Sequence, residues 1–120
     1  MTASSVDTGD TDLVRIAVTG DSATARLSAV GEVDSSSAPT LRARLDDLLD
    51  RGTTDLTIDL TGVTFLDSAG LCVLAATHRR TSRADIRLRV LASSRAVIRP
   101  MQITGLYDLL DVRSGESGVA

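Results

Sequence analysis

Aromatic residues are nearly absent from this 120-residue chain, which contains only Phe65 and Tyr107 and no tryptophan. Proteins that bind single-stranded nucleic acid usually stack its bases on several aromatic rings, so this mode of binding is not expected. Hydrophobic residues nevertheless make up 42% of the sequence. The chain is therefore long enough and apolar enough for one globular domain whose core consists of leucine, valine, isoleucine and alanine.

An excess of basic residues is also missing, and the formal net charge is −3. Asp7, Asp10 and Asp12 precede every basic residue, and the 13 acidic residues that come after them are balanced by 13 arginines. Proteins that bind nucleic acid through phosphate contacts normally carry a net positive surface. The sequence consequently predicts no nucleic-acid partner.

Cys72 is the only cysteine and His78 is the only histidine. A single cysteine cannot form an internal disulfide, and one cysteine with one histidine does not provide the usual ligands of a transition-metal site. No apolar run is long enough for a membrane span or a signal peptide, and no glycine-rich phosphate loop is present. We therefore expect a cytoplasmic protein without metal, cofactor or membrane association, in which Cys72 lies in or near the core.

The hydrophobic pattern predicts the element order β-β-α-β-α-β. Alternation on both sides of Gly20-Asp21-Ser22 indicates a β-hairpin, and Pro39 and Gly52 bracket a helix with one apolar stripe. Two pairs of opposite charge spaced i,i+4, Arg42 with Asp46 and Asp47 with Arg51, indicate its solvated face. The residues that define the six elements are Val14, Ile16 and Val18; Ala25, Leu27 and Ala29; Leu41, Leu45, Leu48 and Leu49; Leu56, Ile58 and Leu60; Leu71, Leu74, Ala75 and His78; and Ile86, Leu88 and Val90.

The predicted fold is α/β, with an N-terminal antiparallel hairpin, parallel βαβ units in a mixed β-sheet and helices packed against that sheet. Residues 1–12 are expected to be a disordered lead-in, residues 13–113 the folded domain and residues 114–120 a flexible tail. A last helical region from Ser94 is expected to be interrupted at Pro100, because proline inside a helix costs about 3 kcal/mol.

Ser68 is the residue most suggestive of function. It comes after the strand Leu56–Leu60 and its turn, at the start of the next helix, where unpaired backbone N–H groups favour negative charge. A phosphate on Ser68 would be well accommodated there. Asp34 comes after the neighbouring strand, and the carboxyl ends of parallel strands share one edge of a sheet, so Asp34 and Ser68 should be neighbours. The structural alternative is that Asp67 or Ser68 caps the helix and Asp34 stabilises a turn.

A hydrolase with Ser68 as nucleophile is disfavoured by the position of the only histidine. His78 lies ten residues further along the same predicted helix, about 15 Å away at a rise of 1.5 Å per residue. Serine chemistry needs a base within hydrogen-bond reach. We therefore expect a binding protein, not an enzyme.

Three separated motifs resemble the STAS family, and within it the stand-alone bacterial anti-sigma factor antagonists. They are the stretch from Asp59 to Leu71, the segment Gly31-Glu32-Val33-Asp34, and Thr104-Gly105-Leu106. The similarity extends over most of the chain from Leu13 to Val112 and keeps the same order of elements. It implies a STAS-like mixed sheet and a regulatory function.

In that family, the unphosphorylated antagonist binds an anti-sigma factor that is also a serine kinase using ATP, and thereby frees a sigma factor. The resemblance implies that Ser68 is the serine that this kinase phosphorylates, and that the modification ends binding. Ala69 replaces the second serine of the common family motif, which leaves Ser68 as the acceptor in this turn. The partner-binding residues implied in this way are Asp34, Asp67, Ser68, Ala69, Gly70 and Leu71.

Two other functions remain open at this stage. The chain could be a STAS subunit of a larger assembly, such as a stressosome or a lipid-transport complex, or a module that binds a nucleotide or another small ligand. Capture of a kinase partner would favour the antagonist over both.

Overall fold

A computed structural model describes residues 13–114, which form a five-stranded β-sheet and four helices. The strands are adjacent in chain order: β1 (Val14–Gly20), β2 (Thr24–Val33), β3 (Asp55–Leu66), β4 (Arg87–Ala92) and β5 (Arg113–Ser114). β1 pairs with β2 in the antiparallel direction, and every later pair is parallel. The predicted hairpin and mixed α/β fold are confirmed.

The helices are α1 (Ala38–Asp50), α2 (Ser68–Arg83), α3 (Arg95–Thr104) and α4 (Leu106–Leu109). Each connection between parallel strands steps to the next strand in the same direction, so right-handed crossovers place the helices on one face of the sheet. The other face is polar, and the pair formed by Arg26 and Asp59 lies on it at 2.6 Å. The sheet therefore has one covered and one open face.

The core lies between the sheet and the helices. The predicted apolar stripe of α1 is buried, and so are the inward residues of β2 and β3. The largest fully buried side chains are Leu27, Leu41, Leu45, Leu56, Ile58, Leu60, Leu74, Met101, Val14, Val33, Val63 and Val90. The predicted charge pairs on α1 also form: Arg51 lies 2.9 Å from Asp47, and Arg42 lies 3.7 Å from Asp46.

β3 is about twice as long as the sequence predicts. It does not end near Leu60 but continues to Leu66, and β2 likewise continues beyond Ala29, the last residue of its predicted alternation, to Val33. The two strands stay paired in this extension, with register shifts between Ser28 and Val30 and again between Gly31 and Glu32. These irregularities break the two-residue alternation, which is why the pattern alone places the strand end too early.

The buried face of α2 is rotated by about one residue from the predicted stripe. Its buried residues are Gly70, Val73, Leu74, Thr77 and Thr81, whereas His78 is only partly buried. The prediction that Cys72 lies in or near the core is wrong, because its side chain is exposed. The hydroxyl groups of both buried threonines donate to backbone carbonyls of α2, which satisfies these polar atoms in the core.

α3 continues through Pro100, so the predicted interruption of this helix is wrong. Pro100 has no N–H to donate to the preceding turn. The hydroxyl of Thr104 donates to the carbonyl oxygen of Pro100 at 2.9 Å, and Val97 and Met101 are fully buried on either side of it. Core packing holds the helix together, and it ends at Gly105, which has a left-handed φ of +84°.

Arg113 and Ser114 form the short strand β5 beside Leu91 and Ala92, which the sequence pattern does not predict. Ser114, assigned to the tail from sequence, therefore closes the sheet. The predicted lead-in of residues 1–12 and the rest of the predicted tail, residues 115–120, lie outside the described residues. Between residues 13 and 114, no helix is both long and apolar enough to cross a membrane.

Candidate functional site at the carboxyl edge of the sheet

The carboxyl ends of β2 and β3 bring two predicted site segments together. Val33 and Leu66 are paired at the end of the two strands, and the backbone N–H of Asp67 donates to the carbonyl oxygen of Val33 at 3.1 Å. Asp34 and Asp67 thus come immediately after paired residues, and Ser68 is one residue further. This places Asp34 and Ser68 at the same edge, as the parallel-strand argument predicts.

Asp67 caps the N-terminus of α2. Its Oδ1 accepts the backbone N–H of Ala69 at 2.8 Å and that of Gly70 at 3.4 Å. The side chain of Asp67 therefore caps the helix, as the structural alternative predicts. Ser68 is the first residue of the helix and is exposed. Within residues 13–114 its hydroxyl makes no hydrogen bond, so it is free for modification or for contact with a partner.

Gly70 is buried, and close packing around it explains why this position has no side chain. A Cβ atom there would lie 2.4 Å from Cδ1 of Leu66 and 2.9 Å from Cγ1 of Val33, both well inside ordinary contact distance. Its lack of a side chain lets the first turn of α2 rest directly on the ends of β2 and β3. Contact of Gly70 with a partner remains a prediction, whereas its packing against these two residues is what holds Ser68 at the edge.

Asp34 organises the turn that leads into α1. Its Oδ1 accepts the backbone N–H of Ser36 at 2.8 Å and the hydroxyl of the same residue at 2.7 Å. These two donors, together with those of Ser37, lower the pKa of Asp34 below its usual value. The hydroxyl of buried Ser37 donates in turn to the carbonyl oxygen of Glu32 at 2.8 Å. Asp34 therefore stabilises a turn, and a role in partner binding would be additional.

The only histidine of the chain does not lie beside Ser68. His78, ten residues along α2 from Ser68, contacts Ser82 near the far end of the helix at 3.5 Å. Among the residues that the structure covers, no group of three or more His, Cys, Asp and Glu side chains comes together as a metal site. The edge instead carries two carboxylates, Asp34 and Asp67, around an exposed hydroxyl at a helix N-terminus.

The sequence pattern does not predict the apolar groove that lies beside this edge. Phe65, Leu66, Leu71, Pro100 and Ile103 provide most of its lining, and its volume is about 630 Å³. Arg95 and Arg99 also line it, and we call this surface the α3 groove. The only signal in the sequence is Phe65, one of two aromatic residues in the chain, whose side chain is 46% exposed.

Comparison with known proteins agrees with this architecture. The STAS domain family matches residues 15–117, which cover most of the chain. The chain belongs to the STAS domain family. The anti-sigma-B factor antagonist of Bacillus subtilis (strain 168) is 36% identical over 93 residues, which cover 78% of this chain and 84% of that protein.

Solved structures extend the comparison to the fold. An anti-sigma factor antagonist from Mycobacterium paratuberculosis is similar with a TM-score of 0.78 at 30% identity, covering 86% of this chain and 87% of the other. The phosphorylated form of SpoIIAA, a Bacillus cell fate determinant, is similar with a TM-score of 0.67 at 19% identity, covering 87% and 96%. The latter likeness concerns the fold alone.

Proposed function

We propose that this STAS protein is a cytoplasmic anti-sigma factor antagonist regulated at Ser68. The unmodified protein binds an anti-sigma factor that is also an ATP-dependent serine kinase, and this binding releases a sigma factor. Phosphorylation of Ser68 by the kinase ends the binding. The observation that carries the proposal is the exposed hydroxyl of Ser68 on the first turn of α2, at an edge shared with Asp34.

The position of Ser68 supports phosphorylation without a change of fold. The first turn of a helix has backbone N–H groups without intrahelical partners, and the helix dipole favours negative charge there. Ser68 is exposed, so a phosphate would not have to be buried. The packing below it, through Gly70 against Leu66 and Val33, does not involve the hydroxyl.

The surrounding charges support loss of binding as the result. Phosphate adds about −1.5 to −2 charges and three acceptor oxygens. Asp34 and Asp67 already place two carboxylates at this edge. A partner that fits the neutral hydroxyl would then have to desolvate or approach a strongly negative surface, which repulsion and desolvation both oppose.

The names of the relatives support the same role. The Bacillus subtilis relative is an anti-sigma-B factor antagonist, and the Mycobacterium paratuberculosis protein of similar structure is an anti-sigma factor antagonist. Each covers more than three quarters of this chain, so the similarity concerns the whole domain. We extend to this chain both the antagonist role and the contact surface formed by Asp34 and residues 67–71.

The decisive experiment incubates the full-length protein with ATP and each anti-sigma factor kinase encoded in its source genome, and maps the phosphate by mass spectrometry. One phosphate on Ser68 is expected. Ser68→Ala should abolish its incorporation and still bind the kinase, because loss of a hydroxyl removes little contact area. Phosphate on Ser35, Ser36 or Ser37 with Ser68 unmodified would contradict the proposal.

Partner capture separates this function from the two alternatives. A tagged protein that retains a kinase, and releases it after phosphorylation, supports the antagonist. Stable recovery of several STAS proteins or of transporter subunits would support a larger assembly, and a tightly bound nucleotide in the purified protein would support a ligand-binding module. Neither result is expected.

A further inference from the structure

Four arginines line one cleft between α1 and α2, and the Ser68 site does not explain them. They are Arg42 of α1 and Arg79, Arg80 and Arg83 of α2. The cleft has a volume of about 550 Å³, and the other charged residue of its lining is Asp46. We call this surface the arginine cleft. Its excess of positive charge is local, because the whole chain has a formal net charge of −3.

The arginine cleft is remote from the acceptor serine. Arg79 comes eleven residues after Ser68 on α2, which corresponds to about 16 Å at a rise of 1.5 Å per residue. Its charges therefore do not belong to the carboxyl edge of the sheet, and they need an explanation of their own.

Carboxylates of α1 hold one of these arginines in place. The guanidinium of Arg80 lies 3.4 Å from Asp46 and 2.5 Å from Asp50, so it connects the two helices. Arg42 lies 3.7 Å from the other carboxylate oxygen of Asp46. Both aspartates are thus already engaged by arginines, and they fix the position of the Arg80 guanidinium before any ligand arrives.

The other two arginines of α2 have no such partner. Arg79 and Arg83 are exposed, and neither forms an ion pair within residues 13–114. Their i,i+4 spacing places two like charges on one side of the helix, which by itself destabilises a helix. An anion bound between them would turn this repulsion into attraction.

The helix dipole offers a structural explanation for part of the cluster. Basic residues in the last turn of a helix are favourable, and Arg80 and Arg83 lie in the last turn of α2. Arg79 lies before that turn, and Arg42 belongs to another helix. The dipole therefore does not account for the convergence of all four side chains on one cleft.

The rest of the lining indicates the chemistry of the ligand. Besides the charged residues, the described lining consists of Ala76 and Ala84, without an aromatic ring or a large apolar side chain. The cleft thus has no platform for a nucleic-acid base and no pocket for the apolar anchor of a protein partner. Guanidinium groups bind phosphate oxygens through pairs of parallel hydrogen bonds. A volume of about 550 Å³ suits a small molecule, and it leaves room for more than one phosphate group.

We propose that the arginine cleft binds a small molecule that carries two or more phosphate groups. Arg79 and Arg83 contact the phosphates from α2, and Arg42 contacts them from α1, while the positioned Arg80 guanidinium lies between them. This is a second site, separate from Ser68, and its occupation does not depend on the function proposed above.

The first test titrates the full-length protein with inorganic tripolyphosphate in a calorimeter at low ionic strength. Arg79→Gln combined with Arg83→Gln should weaken binding at least about tenfold, since two exposed charge contacts are lost. Glutamine is a good helix former, so the melting temperature without ligand should change little. A parent protein that does not bind tripolyphosphate would overturn the proposal.

The matched control is Arg95→Gln combined with Arg99→Gln. These arginines have the same i,i+4 spacing on α3, are exposed, and form no ion pair within the part of the chain that the structure describes, but they line the α3 groove. Their loss should change the affinity for tripolyphosphate less than about twofold. Equal losses in the two double variants would show attraction to arginines in general and would overturn the proposal.

Arg42 tests whether the site spans two helices. Arg42→Gln should weaken tripolyphosphate binding about threefold, the size expected for one exposed charge contact. The control is Arg51→Gln, because Arg51 also pairs with an aspartate of α1 at i,i+4 spacing and does not line the arginine cleft. Equal affinities of Arg42→Gln and the parent would overturn the two-helix site.

NMR locates the bound anion. Tripolyphosphate should shift the backbone amide signals of residues 76–84 and leave those of Ala69 and Gly70 unchanged. Shifts confined to Ala69 and Gly70 would place the anion at the N-terminus of α2 and overturn the proposal. Inorganic orthophosphate should bind at least about tenfold more weakly than tripolyphosphate, and equal affinities would contradict the requirement for several phosphate groups.

Two further titrations distinguish the sources of such phosphates. ATP should bind about as tightly as tripolyphosphate, because the cleft provides no contact for a base, and a much tighter binding of ATP would overturn the proposed ligand class. Cardiolipin carries two phosphates on a lipid. Binding to cardiolipin vesicles that depends on Arg79 and Arg83, without affinity for soluble tripolyphosphate, would assign the cleft to a membrane surface instead.

Discussion

Asp21-Ser22 and Asp67-Ser68 are similar dipeptides at opposite ends of the sheet. In each, Oδ1 of the aspartate accepts the backbone N–H two residues further on, from Ala23 at 2.9 Å and from Ala69 at 2.8 Å. Both serines are exposed. Local hydrogen bonding therefore does not distinguish the turn of the β1–β2 hairpin from the candidate site.

The two turns differ in the element that each one begins. After Asp21 the chain enters β2, and the backbone N–H of Asp21 itself donates to Thr24 across the hairpin at 2.9 Å. After Asp67 the chain enters the 16-residue helix α2, whose N-terminus favours negative charge and lies beside an apolar groove. The same dipeptide becomes a candidate site only where the fold adds a helix and an adjacent apolar groove.

The largest expected effect is on kinase affinity, when a negative charge is added at Ser68 and, as a control, at Ser22. Ser68→Asp should weaken kinase binding at least about a hundredfold, equivalent to about 2.7 kcal/mol, because it places a carboxylate in the contact surface. Ser22→Asp adds the same charge at the other end of the sheet and should leave affinity unchanged. Equal affinities of both variants, measured by titration with the kinase, would remove Ser68 from the interface.

Two positions of α2, Gly70 and Cys72, differ in how closely they are packed. Gly70→Val should lower the free energy of unfolding by about 1–3 kcal/mol, since the new side chain meets Leu66 and Val33. The matched control is Cys72→Val on the exposed face of the same helix, where a change below about 0.5 kcal/mol is expected. Urea denaturation measures both, and equal stabilities would contradict the close packing described for Gly70.

Two substitutions of Asp67 separate its role as a helix cap from the effect of its negative charge. Asp67→Ala should cost about 1 kcal/mol of stability, because the N–H groups of Ala69 and Gly70 lose their acceptor. Asp67→Asn should retain most of that stability, since asparagine caps helices equally well. Thermal unfolding measures this difference. If Asp67→Asn nevertheless loses kinase affinity, the charge of Asp67 belongs to the partner surface.

Asp34→Asn applies the same reasoning to the other carboxylate of the edge. Asparagine retains an oxygen that can accept from Ser36, so the melting temperature should change little. Kinase affinity should fall about fivefold if the charge contacts the partner, the range of a moderate interface residue. Asp21→Asn, the equivalent change in the hairpin turn, should leave affinity unaltered. A parallel fall in melting temperature and affinity would make Asp34 a structural residue only.

The placement of Asp34 and Ser68 was predictable because it depends on strand direction alone. The second half of β3 was not, since its register shifts remove the alternation on which the prediction depends. The buried face of α2 could not be predicted correctly, because two of its buried positions, Gly70 and Thr77, are not hydrophobic. The α3 groove could not be predicted from the sequence, because Phe65, Leu71 and Ile103 belong to three elements that only tertiary packing brings together.

The smallest expected effect concerns the titration of the two turn carboxylates, Asp21 and Asp34. The pKa of each lies below its usual value, but the principal donors differ: the hydroxyl and N–H of Ser36 for Asp34, and the backbone N–H groups of Thr24 and Ala23 for Asp21.

Ser36→Ala should therefore raise the pKa of Asp34, whereas Ser22→Ala should leave that of Asp21 where it is, as measured by NMR of the side-chain carboxyl carbons. A carboxylate with a lowered folded-state pKa stabilises the protein above its unfolded-state pKa, and this contribution is lost as pH falls through the folded-state value. Ser36→Ala should consequently lose less stability than the parent on acidification below about pH 4, near the unperturbed aspartate pKa. An unchanged Asp34 titration in Ser36→Ala would show that the Ser36 hydroxyl does not control this carboxylate, and that the turns at the two ends of the sheet are held by backbone donors alike.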